Sequence, residues 1–266
     1  MLEALSMPFF QHALAAGALI AVAIGLVGPL VMANRMTFMS GGIAHATYGG
    51  VGAAIYFGVS ILLGAAMAAL LAAAVISFVS YRYRHRADTV IGIVWAVGMA
   101  LGVVLADMTP GYNVDLMSFL FGSILAVDIR DLWLMAGFDL LAAGLVWYFY
   151  YDFLALSFDP VFAKLQGVRT AALHLLLLTL VALTVVLAMR LVGLIMLIAL
   201  LTMPSFSAER YVRSLGGMML FSVALSLFYI LAGLAIAYYA DISSGASVIL
   251  VAAFGTIALF TIRKKG

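Results

Sequence analysis

At 266 residues, 67% hydrophobic and 9% charged, with a formal net charge of +2, this chain lies far outside soluble globular composition, which averages about 45–50% apolar and roughly 25% charged residues. Its mean hydropathy of +1.24 predicts an all-α, polytopic integral membrane bundle: one transmembrane domain over residues 1–266, with too little polar sequence left for a soluble domain. The absence of cysteine excludes a disulfide framework and thiolate metal ligands, and with nearly every charge in a loop nothing points to nucleic acid.

A spanning helix needs about 20 mostly apolar residues. Nine stretches supply them: 9–33, 38–58, 60–80, 88–107, 131–150, 170–189, 191–208, 215–240 and 246–262. The first lacks a basic leader and is too long for a cleaved signal peptide, so it reads as a span. Residues 115–127 (DLMSFLFGSILAV) are too short to cross and are expected to form a short re-entrant or interfacial helix covered by protein or water. The stretch 191–208 is interrupted by Pro204 and is expected to be broken, which leaves eight crossings as the alternative to nine.

Lys and Arg in short loops set orientation. Arg35, the cluster Arg82/Arg84/His85/Arg86, Lys164 with Arg169, Arg210 with Arg213, and the tail Arg263-Lys264-Lys265 all fall on one side of a nine-span chain. That side is read as the cytoplasm, with the C-terminus there and the N-terminus outside, in a multi-pass protein of the cell (plasma or inner) membrane. The loops 107–115 and 241–245 then face outward and carry Asp but no Lys or Arg. Arg190 falls on the outer side in this arrangement, where it can snorkel to the headgroups.

The longest cytoplasmic stretch, 151–169 (YDFLALSFDPVFAKLQGVR), predicts a short amphipathic helix. Ser157 or Asp159 is its N-cap, Pro160 fits the first turn, and Gly167 is its C-cap. Phe158, Val161, Phe162 and Leu165 make an apolar face. Such a helix either lies among lipid headgroups or docks into a groove on a cytoplasmic partner. No Walker-type glycine-rich lysine motif occurs, so ATP is not hydrolysed by this chain through that route. Ionisable residues inside spans are sparse: His45, Asp139 and His174, with His12 nearer a segment end. That is thin equipment for a gradient-driven carrier.

In the stretch MSGGIAHATYGG, Gly41, His45, Gly49 and Gly52 share one helical stripe. Small residues there let another helix approach closely, so His45 either hydrogen-bonds across a tight seam or serves as a metal ligand in a polar path. One histidine is a weak metal signature, because metal sites generally use three or four ligands. Met32, Met36, Met39 and Met99 are candidates for a soft lining, though methionine on such helices is mostly packing.

Six stretches in order resemble the membrane-spanning subunit of ATP-binding-cassette importers for zinc, manganese or iron. NRMTFMSGGIAHATYGGVG resembles the segment leading to the family's "SHA" histidine, and DTVIGIVWAVGMALGVVL its "DTAIGI" helix. VDLMSFLFGSILAV is similar to "DLLSYLFGNILAV", and SFDPVFAKLQGV falls at the family's ATPase-coupling loop. RLVGLIMLIALLTMPSFSAERYV and DISSGASVILVAA resemble the two remaining motifs toward the C-terminus.

The resemblance implies a transport subunit, not an enzyme, binding no cofactor of its own, with the divalent metal ion as substrate. Its implied partners are an ATPase subunit, an extracytoplasmic metal-binding protein received at 107–115 and 241–245, a second copy of the permease in a homodimer, and membrane lipid. It places His45 in the ion path and the ATPase contact on Phe158, Asp159, Phe162, Leu165 and Gly167. The family carries an aspartate four residues before the histidine, whereas this chain has Gly41; Asp88, Asp107 and Asp115 are candidate replacements. Imidazole in the path favours zinc slightly over manganese or iron. The alternatives are a permease for a metal chelate of siderophore or corrinoid type, a gradient-driven metal carrier, and a non-transporting membrane scaffold.

Overall fold

A computed structural model describes residues 8–83, 86–110, 122 and 127–262. Its helices are α1 (Pro8–Ala33), α2 (Thr37–Phe57), α3 (Ile61–Arg82), α4 (Ala87–Asp107), α5 (Ile129–Tyr148), α6 (Tyr150–Phe158), α7 (Pro160–Leu165), α8 (Thr170–Tyr211), α9 (Leu215–Ala240) and α10 (Ser244–Ile262). No strand occurs among the described residues. Helix is the expected outcome for such apolar runs, because a helix satisfies its own backbone polar groups where lipid offers no partner. The expected re-entrant segment 115–127 apart from residues 122 and 127, Asp115 within it, the Arg84/His85 pair and the basic tail lie outside the described residues, as does the side chain of Arg190.

All nine predicted stretches fall on these helices. Among the described residues, seven segments are long and apolar enough to cross a membrane: most of α1, α3, α4, the two parts of α8, α9 and α10. The α5–α6 pair makes an eighth only if taken as one span, bent by 67°. The His45 helix α2 is not among them. Its 21 residues give roughly 31 Å of length at 1.5 Å per residue, but glycines, Ser40, Thr47 and His45 dilute its apolarity. Burial explains the tolerance: Ser40 through Ala44, Ala46 through Tyr48, Gly50 through Gly52 and Ala54 are covered by protein, so α2 does not have to dissolve in lipid along those faces.

The predicted break near Pro204 is displaced. The non-helical residue in α8 is Gly193, at φ 75° and ψ 160°, a backbone conformation that side chains with a Cβ rarely adopt. Pro204 sits inside continuous helix. Hydroxyls feed the turns beside it: Thr202 donates to the carbonyls of Ile198 and Ala199 at 2.9 and 3.2 Å, and Ser207 to Met203 at 3.0 Å.

The chain clusters into two compact units. One comprises most of α1, α5, the later part of α8, α9 and α10. Within it Ser247 donates to the carbonyl of Gly233 at 2.8 Å, and the Tyr211 hydroxyl donates to that of Leu259 at 2.7 Å. Side chain-to-backbone bonds of this kind join membrane helices that have no hydrophobic drive to associate.

The other unit comprises α2, α3, α4, α6, α7 and the first part of α8. A Cβ placed on Gly49 would stand 2.7 Å from the carbonyl oxygen of Gly98, and one on Gly52 would collide with that of Gly102. The glycine stripe is therefore a seam between α2 and α4. Paired positions advance together (41 with 95, 49 with 98, 52 with 102), so the two helices run in the same direction. On its other side α2 meets α3 at Gly50 and Gly64. At one end of this unit, Asn34 bonds Ser157, Ser80 bonds His174 and Tyr81 bonds Thr170, at 2.9, 2.9 and 3.1 Å. These bonds bring the segments bearing Arg35, Arg82, Lys164 and Arg169 to a common end of this unit.

Candidate functional site

His45 lies eight residues into α2 from Thr37, about 12 Å from the basic end of the helix at 1.5 Å per residue. Its ring stacks on the Trp95 indole, with centroids 3.9 Å apart and planes 11° from parallel. Its Nδ1 lies 3.0 Å from the Met99 sulfur. Both partners come from α4, one turn apart, and the glycine seam holds them against α2. Phe38 extends the aromatic group, 6.1 Å from Trp95 between ring centroids.

The indole also covers Gly41: a Cβ there would stand 3.4 Å from Trp95 Cζ3. The tryptophan thus lies beside the position where the resembling family places its aspartate. Of the proposed replacements, the two described ones, Asp88 and Asp107, do not complete a cage. Asp88 is exposed in the first turn of α4 and Asp107 is exposed in its last. Among the described residues no group of three or more His, Asp or Glu side chains gathers to hold a metal.

The other interior candidates stand apart from this arrangement in kind. His174 bonds Ser80 and packs beside Tyr81, 6.2 Å between ring centroids. Asp139 is 7% exposed in α5, and neither carboxylate oxygen finds a partner among the described residues. Of the four methionines considered as a soft lining, Met99 is the one bonded to His45. Trp95 escaped the sequence reading. Its contact with His45 depends on the register of two separate segments, which neither segment announces by itself.

The segment 151–169 holds two helices rather than one. The leading helix, α6, buries Phe153 and Leu156. Ser157 does not cap α7; it donates to the Phe153 carbonyl at 2.8 Å and accepts from Asn34. Asp159 is the cap, its carboxylate accepting from the backbone of Val161 and Phe162 at 2.9 and 3.1 Å. Pro160 occupies the first turn. At the far end Gly167 takes φ +86°, with its N–H on the Lys164 carbonyl and that of Val168 on Ala163, both at 3.1 Å. Those two bonds form a Schellman closure. Ala163 is buried beneath the helix, while Phe158 and Leu165 are 83% and 81% exposed, with Val161 and Phe162 exposed beside them.

A family model, the ABC 3 transport family, matches residues 6–263. An uncharacterised membrane protein of Synechocystis is 45% identical, covering 99% of this chain and 94% of its own length. The manganese transport system membrane protein MntC of Halalkalibacterium halodurans is 33% identical over 99% of this chain and 91% of its own. The solved structure titled PsaBC from Streptococcus pneumoniae in complex with Fab superimposes with a TM-score of 0.87 at 32% identity, covering 97% of this chain and 94% of that one. The slight preference for zinc drawn from the imidazole finds no support in these names. The chain belongs to the ABC 3 transport family, as a membrane permease of the ATP-binding-cassette metal importers.

Proposed function

We propose that this permease moves a divalent transition-metal ion, manganese, into the cytoplasm along a path that passes His45. Two copies act together, a separate ATPase subunit drives them from the cytoplasm, and an extracytoplasmic metal-binding protein delivers the ion at the loops 107–115 and 241–245. The chain binds no cofactor for this; the ion is its substrate. Manganese is taken from the name of the MntC relative.

The observation that carries the reading is the exposed apolar group Val161, Phe162 and Leu165 on a helix fixed at both ends, with Phe158 exposed just ahead of its cap. A six-residue helix has no stability of its own. Capping by Asp159 and closure at Gly167 hold its shape, and that shape presents hydrophobic side chains to a groove on a partner. A headgroup helix would need neither rigid ends nor a polar tie to the α1–α2 turn. Closure of the ATPase dimer then pushes α7, and access to the ion alternates between outside and inside. The ion drives this cycle only if it binds the two states with different affinity.

The test is co-reconstitution with the ATPase and the metal-binding protein in proteoliposomes. ATP-dependent accumulation of manganese is expected, lost in Phe158→Asp and Leu165→Asp together with ATPase co-purification. Accumulation by the permease alone would end the proposal in favour of a gradient-driven carrier.

A further inference from the structure

We infer that Met99 and Trp95 are positioning residues that hold His45 as its Nδ1–H tautomer and offer Nε2 as the one imidazole atom free to meet the ion. The inference rests on the transport reading above and deepens it.

The first support is the direction of one hydrogen bond. A thioether sulfur accepts but carries no hydrogen to donate. A 3.0 Å approach between His45 Nδ1 and Met99 Sδ is therefore N–H···S, with the proton on Nδ1. A neutral imidazole has one such proton, so the lone pair resides on Nε2. No bond to Nε2 is made among the described residues. In metal sites the histidine ligand almost always donates its other N–H to an acceptor that fixes tautomer and ring orientation, commonly a carboxylate, a backbone carbonyl or water. Here a sulfur fills that place.

The second support is the indole. Stacked at 3.9 Å and 11°, it covers one face of the imidazole and opposes rotation about the Cβ–ring bond. The same indole lies over Gly41, within van der Waals reach of a Cβ there, so it borders the position that departs from the family pattern. The third is the seam: with Ala46 backbone beside Gly98 and Gly49 beside its carbonyl, α2 and α4 have little freedom to move Met99 away from the ring. The ion meets a nitrogen donor whose orientation is set by two apolar side chains, with no carboxylate at position 41. Thioether is a weaker acceptor than carboxylate, so the ring gains orientation without becoming strongly basic, a property suited to an ion that must be released again.

The experiment uses the permease–ATPase complex with 15N-labelled histidine in the permease alone, the His45→Gln variant identifying the His45 signals among that chain's four histidines. Wild type is expected to show protonated Nδ1 and unprotonated Nε2 at His45. Met99→Leu removes the acceptor at similar volume and should erase that signature. It should also raise the KM for Mn2+ uptake by roughly 10–100-fold, with kcat much less affected. Met99→Gln, whose amide oxygen can accept from Nδ1–H, should restore both. Should Met99→Leu fail to assemble, norleucine in its place keeps the shape without the sulfur. An unchanged ring signature and unchanged KM in either variant would overturn the inference, as would a wild-type ring protonated at Nε2. Failure of wild type to transport Mn2+ with ATP would instead defeat the transport reading, and the ring signature would still decide the tautomer.

Discussion

The side-chain amide of Asn34 donates to Ser157 Oγ at 2.9 Å, closing a gap of 123 residues in sequence. It ties the turn before α2 to the last turn of α6, immediately ahead of the exposed apolar residues of α7. A push on α7 therefore has a polar link to the start of the helix that carries His45. A neutral hydrogen bond contributes about 0.5–1.5 kcal/mol net. Asn34→Ala is expected to leave the ATPase bound and to lower metal uptake severalfold, so that more ATP is hydrolysed per ion moved. An unchanged ratio of ATP to ion would remove this bond from the coupling route.

The two ends of α7 give a second expectation. Asp159→Ala removes an N-cap worth about 1 kcal/mol. Gly167→Ala forces a Cβ into a left-handed residue, at a cost of about 1–2 kcal/mol. Neither change touches a spanning helix. Both should weaken association with the ATPase while the thermal midpoint of the isolated permease moves little. Association measured by co-purification at graded salt and detergent decides it; full retention in both variants would mean that α7 needs no fixed shape.

The α2–α4 seam is testable against an internal control. Gly52→Ala would drive a methyl into the Gly102 carbonyl, whereas a Cβ on Gly92 in the same α4 meets nothing within 4 Å. Gly52→Ala should lower the midpoint in detergent and cut uptake. Gly92→Ala should be neutral or stabilising by up to about 1 kcal/mol, the gain expected for alanine over glycine in a helix. Equal effects from the two would deny that backbone contact matters at Gly52.

Asp139 is a different kind of test. A buried polar group left unpaired costs about 1–3 kcal/mol, and both oxygens of Asp139 are unpaired among the described residues. Asp139→Leu should raise the thermal midpoint by a few degrees with uptake preserved. Loss of uptake at an unchanged midpoint would assign the carboxylate to ion movement.

Orientation can be read chemically because the chain has no cysteine. A cysteine at Ser243, exposed after α9, should react with an impermeant maleimide applied outside intact cells. One at Gln166, exposed beside Gly167, should react only after permeabilisation. The opposite pattern would invert the whole topology.

The sequence carried some of this more clearly than the rest. The spans and the capped α7 were legible because local signals govern them: apolar length, an Asp-Pro start, a glycine stop. The glycine stripe announced a close neighbour, but not which helix. Register between α2 and α4 is a property of two segments about fifty residues apart, so the His45–Trp95 stack and the Met99 bond had no single-segment signature. The break was misplaced for a physical reason. Proline inside a membrane helix can be absorbed when nearby hydroxyls supply donors, whereas a glycine at φ 75° interrupts the helix outright. Likewise α2 fell short of membrane apolarity because its glycines and polar side chains lower its hydropathy, and it carries them largely wrapped in protein.

Two rods that touch through their main chains, with no side-chain cushion between them, cannot slide without collision. Through the glycine contacts at 49, 52, 98 and 102, α2 and α4 should travel as one plate when the permease rocks. The imidazole, the indole and the sulfur would then ride together unchanged, and what alternates would be the surroundings that the plate turns them toward.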